Sequence, residues 1–203
     1  MTFVRKIEVT WGTPRTERAD AARNRQHLIA TARAMLAELG PDQLTMDALA
    51  ERSGLGKGTV FRRFGTRAGI FGALLDDGER VFQERVLSGP PPLGPGASPL
   101  ERLIAYGRAR IHFMVEYHEI ARAAVDGRQP IPAGSQTPMS RAHIRMLLTG
   151  IDLGPADLDL LAMQLTAALD GPILLYVSAT DLIPAEQPLT DGWRDLVQRV
   201  CRP

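Results

Sequence analysis

Residues 44–65, LTMDALAERSGLGKGTVFRRFG, constrain the fold more than any other part of this chain. Thr45 stands where a helix N-cap belongs, ahead of a short helix that reaches Arg52 or Ser53. Gly54-Leu55-Gly56 then breaks the chain, because glycine alone enters a tight left-handed turn without a steric penalty. A second short helix follows over about residues 57–64. Leu49, Leu55 and Val60 supply a small core, and Ala50 lets the two helices approach closely. Two short helices joined by a glycine turn form a helix-turn-helix. Its second helix offers Lys57, Thr59, Arg62 and Arg63 outward, with a length and polarity suited to the DNA major groove.

Charge distribution supports the same reading. The net charge is only +1, which is low for a nucleic-acid binder, but Arg52, Lys57, Arg62, Arg63 and Arg67 follow one another without an intervening acid. Asp76, Asp77, Glu79 and Glu84 come soon after. Positive charge is thus concentrated on one short stretch, the footprint expected for phosphate.

The remaining periodicity predicts an all-α protein. Leu28, Ala32, Met35, Leu36 and Leu39 recur at helical spacing and stop at Gly40-Pro41, giving a first helix over about residues 20–39. Thr66 caps a longer helix that ends near Leu87. The run SGPPPLGPG at 88–96 cannot continue a helix and reads as the main linker. Beyond it, helices are expected at about 99–118, 119–125, 138–149, 155–179 and 190–202. The domain division predicted is an arm (1–19), a reading domain with a connecting fourth helix (20–87), the linker (88–99) and a helical bundle (100–203).

Residues 44–75 resemble the DNA-binding domain of the TetR family of transcriptional regulators. Thr45, Ala50, Gly54, the block Lys57-Gly58-Thr59-Val60-Phe61, Phe64, and Arg67 before Ile70-Phe71 fall in that family's order. The resemblance implies phosphate contacts from Thr45, Lys57 and Arg67, with Thr59 and its neighbours facing base edges; Gly58, Phe61, Arg62 and Arg63 complete the expected DNA-binding set. Phe61 stands where the family often has tyrosine, and Arg63 where histidine is common; Arg63 either compensates for the missing hydroxyl or reads a guanine. Arg5, Lys6, Arg15, Arg18, Arg23 and Arg25 make the leading segment either a minor-groove arm or a tail held loosely by phosphate attraction.

The resemblance further implies a homodimer formed through the last two long helices, a near-palindromic operator and an unknown small-molecule effector bound in the bundle, with release of the repressor as the response. The helix from Pro155 is apolar on two faces, as a helix covered from two sides must be. Tyr106, Phe113, Met114, Met146, Asp170 and Tyr176 are the candidate effector contacts, although aromatics and methionines at helical spacing also make ordinary core. Asp170, beside Gly171-Pro172, either meets a ligand or satisfies backbone groups freed by the proline. Arg108, His112 and Glu116 share a polar stripe that reads as a surface network, not a metal site.

No cofactor is implied. With no phosphate loop, nucleophile elbow or paired metal-ligand motif, an enzyme is not expected. A DNA-binding factor without any ligand is the competing reading, which a bundle lacking a cavity favours. A single cysteine, Cys201, near the chain end reads as an ordinary thiol. No run approaches the roughly 20 apolar residues of a membrane span, so a cytoplasmic protein is expected.

Overall fold

The computed structural model describes residues 15–124, 137–176 and 182–202, and every regular element among them is helical. The helices are α1 (Arg15–Leu39), α2 (Met46–Ser53), α3 (Lys57–Phe64), α4 (Arg67–Ser88), α5 (Pro99–Glu116), α6 (His118–Ala124), α7 (Thr137–Leu148), α8 (Leu158–Tyr176) and α9 (Leu182–Val200). They pack as two compact units, Met1–Gly65 and Thr66–Pro203, with α4 in the second.

Three helix starts differ by three residues or more from the sequence expectation. Helix α1 starts at Arg15, five residues earlier than expected, because no glycine or proline stands between Arg15 and Asp20. Helix α8 starts at Leu158 and not at Pro155: the Asp157 carboxylate accepts the backbone N–H groups of Asp159 and Leu160 at 3.1 and 3.0 Å, which makes Asp157 the cap. The expected continuation of this helix to Ala179 lies outside the described residues. Helix α9 starts at Leu182, eight residues before the expected Thr190, and holds Pro188 in its interior. The proline removes one helical donor; the buried face of Thr190, Trp193, Val197 and Cys201 keeps the segment helical against α5.

In the second unit the core centres on Leu103, Ile144, Leu148, Leu165 and Val197, all 2 % exposed or less. Helices α5 and α9 are locked by one contact. The Trp193 indole donates to the Leu103 carbonyl at 3.1 Å while lying on the bare backbone of Gly107, where a Cβ would fall 2.0 Å from the indole nitrogen. Cys201, near the chain end, is buried in this core, and its burial pushes the thiol pKa up.

Between α4 and α5 the core contains an ion pair. Arg110 donates to Glu79 at 2.5 Å, with both side chains at 10 % exposure or less. The guanidinium also lies over the rings of Phe82 and Phe113, 5.6 and 5.2 Å from their centroids. A paired, ring-flanked arginine keeps its charge out of water at a tolerable cost; an unpaired one does not. Nearby, Tyr106 donates to Ser140 at 2.8 Å and its ring packs 4.8 Å from that of His143. Burial first, and the Arg102 charge second, hold His143 down at a pKa of about 4.

Two outcomes follow. Replacing Glu79 by alanine strands the Arg110 charge and is expected to cost roughly 3–5 kcal/mol in chemical unfolding, whereas the double variant Glu79→Leu/Arg110→Met loses less than the single one. His143 takes up its proton near pH 6.5 in the unfolded chain but only near 4 in the fold. Stability therefore falls as the pH drops from 6.5 towards 4 and levels off below. In His143→Gln that part of the pH dependence of unfolding should disappear.

Candidate nucleic-acid interface

The reading unit is built by capping and a left-handed turn. Thr45 adopts extended backbone and its hydroxyl oxygen accepts the Ala48 N–H at 3.1 Å, closing the first turn of α2. The hydroxyl proton remains available to an outside acceptor, and the residue is exposed. Gly54 ends α2 at φ 68° and ψ 11°, the left-handed conformation expected of it. The Ser53 hydroxyl donates to the Ala50 carbonyl and accepts the Leu55 N–H, which fixes the turn. Leu49 and Val60 are fully buried and Ala50 is 5 % exposed, as read from the sequence, but Leu55 is only half-buried and Leu44, fully buried, joins the core in its place. Helix α1 braces it: the His27 ring lies 3.0 Å from the Ser53 carbonyl oxygen, and Arg52 pairs with Glu38.

Helix α3 carries its buried side on Val60 and leaves Lys57, Gly58, Phe61 and Arg62 exposed. Positions 57, 58, 61 and 62 lie on one helical face. That face combines two cations, a glycine that admits close backbone approach, and an aromatic ring 48 % exposed. Thr59 is half-buried and its hydroxyl accepts from Arg62 at 3.3 Å. Arg63 does not join them: it donates across the unit to the Ala21 carbonyl of α1 at 2.9 Å. Lys57 reaches Asp47 at 2.8 Å, with both side chains about two-thirds exposed; the pair is solvent-screened and a phosphate can displace it. Sequence reasoning named Lys57 but missed Asp47, whose signal was an acid in the first turn of α2, and missed the Arg63 clasp, which had no local signal. Arg67 opens α4 in the second unit, after Thr66 has capped that helix through Gly69, and its guanidinium lies 4.9 Å from the Phe71 ring centroid.

The candidate effector residues separate. Tyr106 and Phe113 are buried core on either side of Phe82, at ring distances of 5.7 and 5.5 Å, and burial pushes the Tyr106 phenol up. Met114 lines a cavity of about 170 Å³ between α5, α8 and α9, walled by apolar groups such as Ile111, Leu169 and Leu196. Asp170 is half-buried, Met146 is 48 % exposed on α7, and the Tyr176 side chain lies outside the described residues. The surface network expected of Arg108, His112 and Glu116 takes another form: His112 meets Glu186 of α9 at 2.9 Å. Among the described residues no His, Cys, Asp and Glu group is arranged to hold a metal ion, and no helix is long and apolar enough to cross a membrane.

A capped helix-turn-helix with a basic, aromatic outer face is the arrangement of a DNA-binding transcriptional regulator. Residues 28–74 match the profile of the bacterial regulatory proteins of the tetR family. Among solved structures, a TetR-family transcriptional regulator from Pectobacterium atrosepticum is 19 % identical with a TM-score of 0.71, covering 92 % of this chain and 98 % of that one. A transcriptional regulator from Rhodococcus sp. Rha1 is 19 % identical with a TM-score of 0.59, covering 88 % and 99 %. A structure described as the molecular basis for control of antibiotic production by a bacterial hormone is 18 % identical with a TM-score of 0.58, covering 89 % and 98 %. These likenesses establish a shared all-helical fold. No curated protein matches the chain in sequence.

Because the Thr45 hydroxyl oxygen closes α2, Thr45→Ala should lower stability by about 1 kcal/mol. Thr45→Ser should retain it, as read by urea unfolding of the full chain.

Proposed function

We propose that this regulator is a repressor that binds a near-palindromic operator as a homodimer and is released by a small-molecule effector. The observation that carries the reading is the exposed face of α3. Lys57, Phe61 and Arg62 are held clear of the core on a helix whose other side is pinned by Val60. In this reading Thr45, Lys57 and Arg67 bind phosphate, Gly58 admits the backbone to the groove, and Thr59, Phe61 and Arg62 face base edges, Phe61 suiting a thymine methyl. Arg63 acts through α1 by fixing the angle of the recognition helix.

Dimerisation through α8 and α9 is supported by what those helices leave uncovered. Leu160, Met163 and Ala167 form an exposed stripe on α8 at helical spacing, and Leu196 of α9 is also exposed. Apolar surface of this kind gains most when a second copy covers it. The two recognition helices would then meet half-sites a whole number of DNA turns apart. The functional division is an arm (1–19), a reading head with its connecting helix (20–87), a linker (88–99) and the effector and dimerisation bundle (100–203).

The apolar cavity beside Met114 supports a bound effector, since about 170 Å³ is comparable to engineered cavities of about 150 Å³ that admit benzene. Tyr106, Phe113 and Asp170 would enter through rearrangement of the bundle, and Met146 and Tyr176 are retained as contacts of the bound state. Effector and operator affinities are then linked reciprocally.

The test is selection of genomic fragments with the purified protein, followed by titration of the selected site at several salt concentrations. One palindromic sequence bound by a dimer is expected. Lys57→Ala should reduce the slope of log K against log salt by roughly 0.9. Arg62→Ala should cost about 1–3 kcal/mol and relax specificity at one base position. Weak binding without sequence preference, or unchanged specificity in Arg62→Ala, would overturn the reading.

A further inference from the structure

The proline run between α4 and α5 does more than connect them. With one face of α5 and the first half of α9 it encloses a groove of about 730 Å³, which shares no lining residue with the smaller apolar cavity. Ile104, Ala105, Arg108 and His112 line it from α5 at spacings of one, three and four, so they share a helical face. Pro91, Pro92 and Leu93 form a rigid apolar wall opposite, and the volume falls in the range of small-molecule sites.

The charges in the groove are unequally committed. The Glu101 carboxylate accepts both the Ser98 backbone N–H and the Ser98 hydroxyl, at 3.0 and 2.7 Å. Glu186 is engaged by His112 at 2.9 Å, and Arg194 by Asp191 at 3.0 Å. Arg85, in the last turn of α4, and Arg108, on α5, have no acidic or hydrogen-bonding side-chain partner among the described residues, and both line the groove. Thr190 lines it too and is 6 % exposed.

Two uncommitted guanidinia, a threonine side chain and a stiff apolar wall describe a complementary shape. We infer that this groove binds an organic anion carrying one carboxylate on a flat apolar body. The carboxylate is held by Arg85 and Arg108, whose forked donors match its two oxygens. Thr190 donates to it, and the apolar body packs on Pro91, Pro92 and Ile104. A multiply charged phosphate ester fits less well, because the Glu101 and Glu186 carboxylates stand in the same groove and repel it. The site is additional to the effector cavity of the proposed function.

Calorimetric titration of the full-length protein without DNA tests this, so the result is independent of operator recognition. The probe is 2-naphthoate, with 2-naphthamide as its uncharged isostere and inorganic phosphate as the bare anion. Saturable binding of one naphthoate per chain is expected, with the amide and phosphate each about tenfold weaker or more. Arg108→Gln and Arg85→Gln, both at exposed positions, should each weaken naphthoate about tenfold without changing the melting temperature. Ala168→Met, which fills the apolar cavity, should leave binding as it was. No binding at millimolar naphthoate, equal affinity for the amide, or survival of binding in the double arginine variant would overturn the proposal. So would loss of binding in a folded Ala168→Met protein, which would put the naphthoate in the apolar cavity.

Discussion

A carboxylate and a guanidinium removed from water are stable only while they face each other, and Glu79 and Arg110 impose that condition on the whole second unit. The two residues sit on α4 and α5, which the proline linker separates in sequence. Their pairing fixes the rotation of one helix about its axis relative to the other, since either charge turned outward leaves its partner unmatched. Phe82 and Phe113 enclose the guanidinium from both helices. Apolar packing alone tolerates a sliding register; a buried ion pair between rings has one geometry. Helix α4 begins at Arg67, with only Gly65 and Thr66 between it and the end of α3.

The lock between Trp193 and Gly107 plays the corresponding part for α9. An indole that lies on bare backbone and donates to the Leu103 carbonyl cannot shift along α5 without losing both. Helix α5 is therefore held on one side by charge and on the other by shape. The apolar cavity lies where α5, α8 and α9 meet. A ligand wedged there would act on a helix whose opposite side is tied to α4.

What the sequence makes legible depends on distance along the chain. Thr45, Gly54 and Thr66 act within a few residues of themselves, through caps and a left-handed turn, so the residue types and their immediate neighbours suffice to assign their roles. The same local rules misplace the start of α9, because Pro188 weakens a helix locally while burial of Trp193 and Val197 against α5 outweighs it from elsewhere. The contacts that fix the architecture are illegible. Arg63 to Ala21 spans 42 positions, Glu79 to Arg110 spans 31, and Trp193 to Leu103 spans 90. None leaves a periodicity, since each joins one residue to one distant partner.

The candidate effector residues fail to converge for a related reason. Tyr106, Phe113, Met114 and Met146 are candidates because large, soft side chains line cavities, yet the same property makes them good core. The structure uses Tyr106 and Phe113 to surround Phe82, leaves Met146 exposed, and gives only Met114 to the cavity wall. Composition cannot separate these fates, because they depend on which helix faces which. Charged residues are easier to sort once partners are visible: an arginine that has found its acid is structural, and one that has not is available. By that criterion Arg110 belongs to the fold, Arg63 to the reading head, and Arg85 and Arg108 to a ligand.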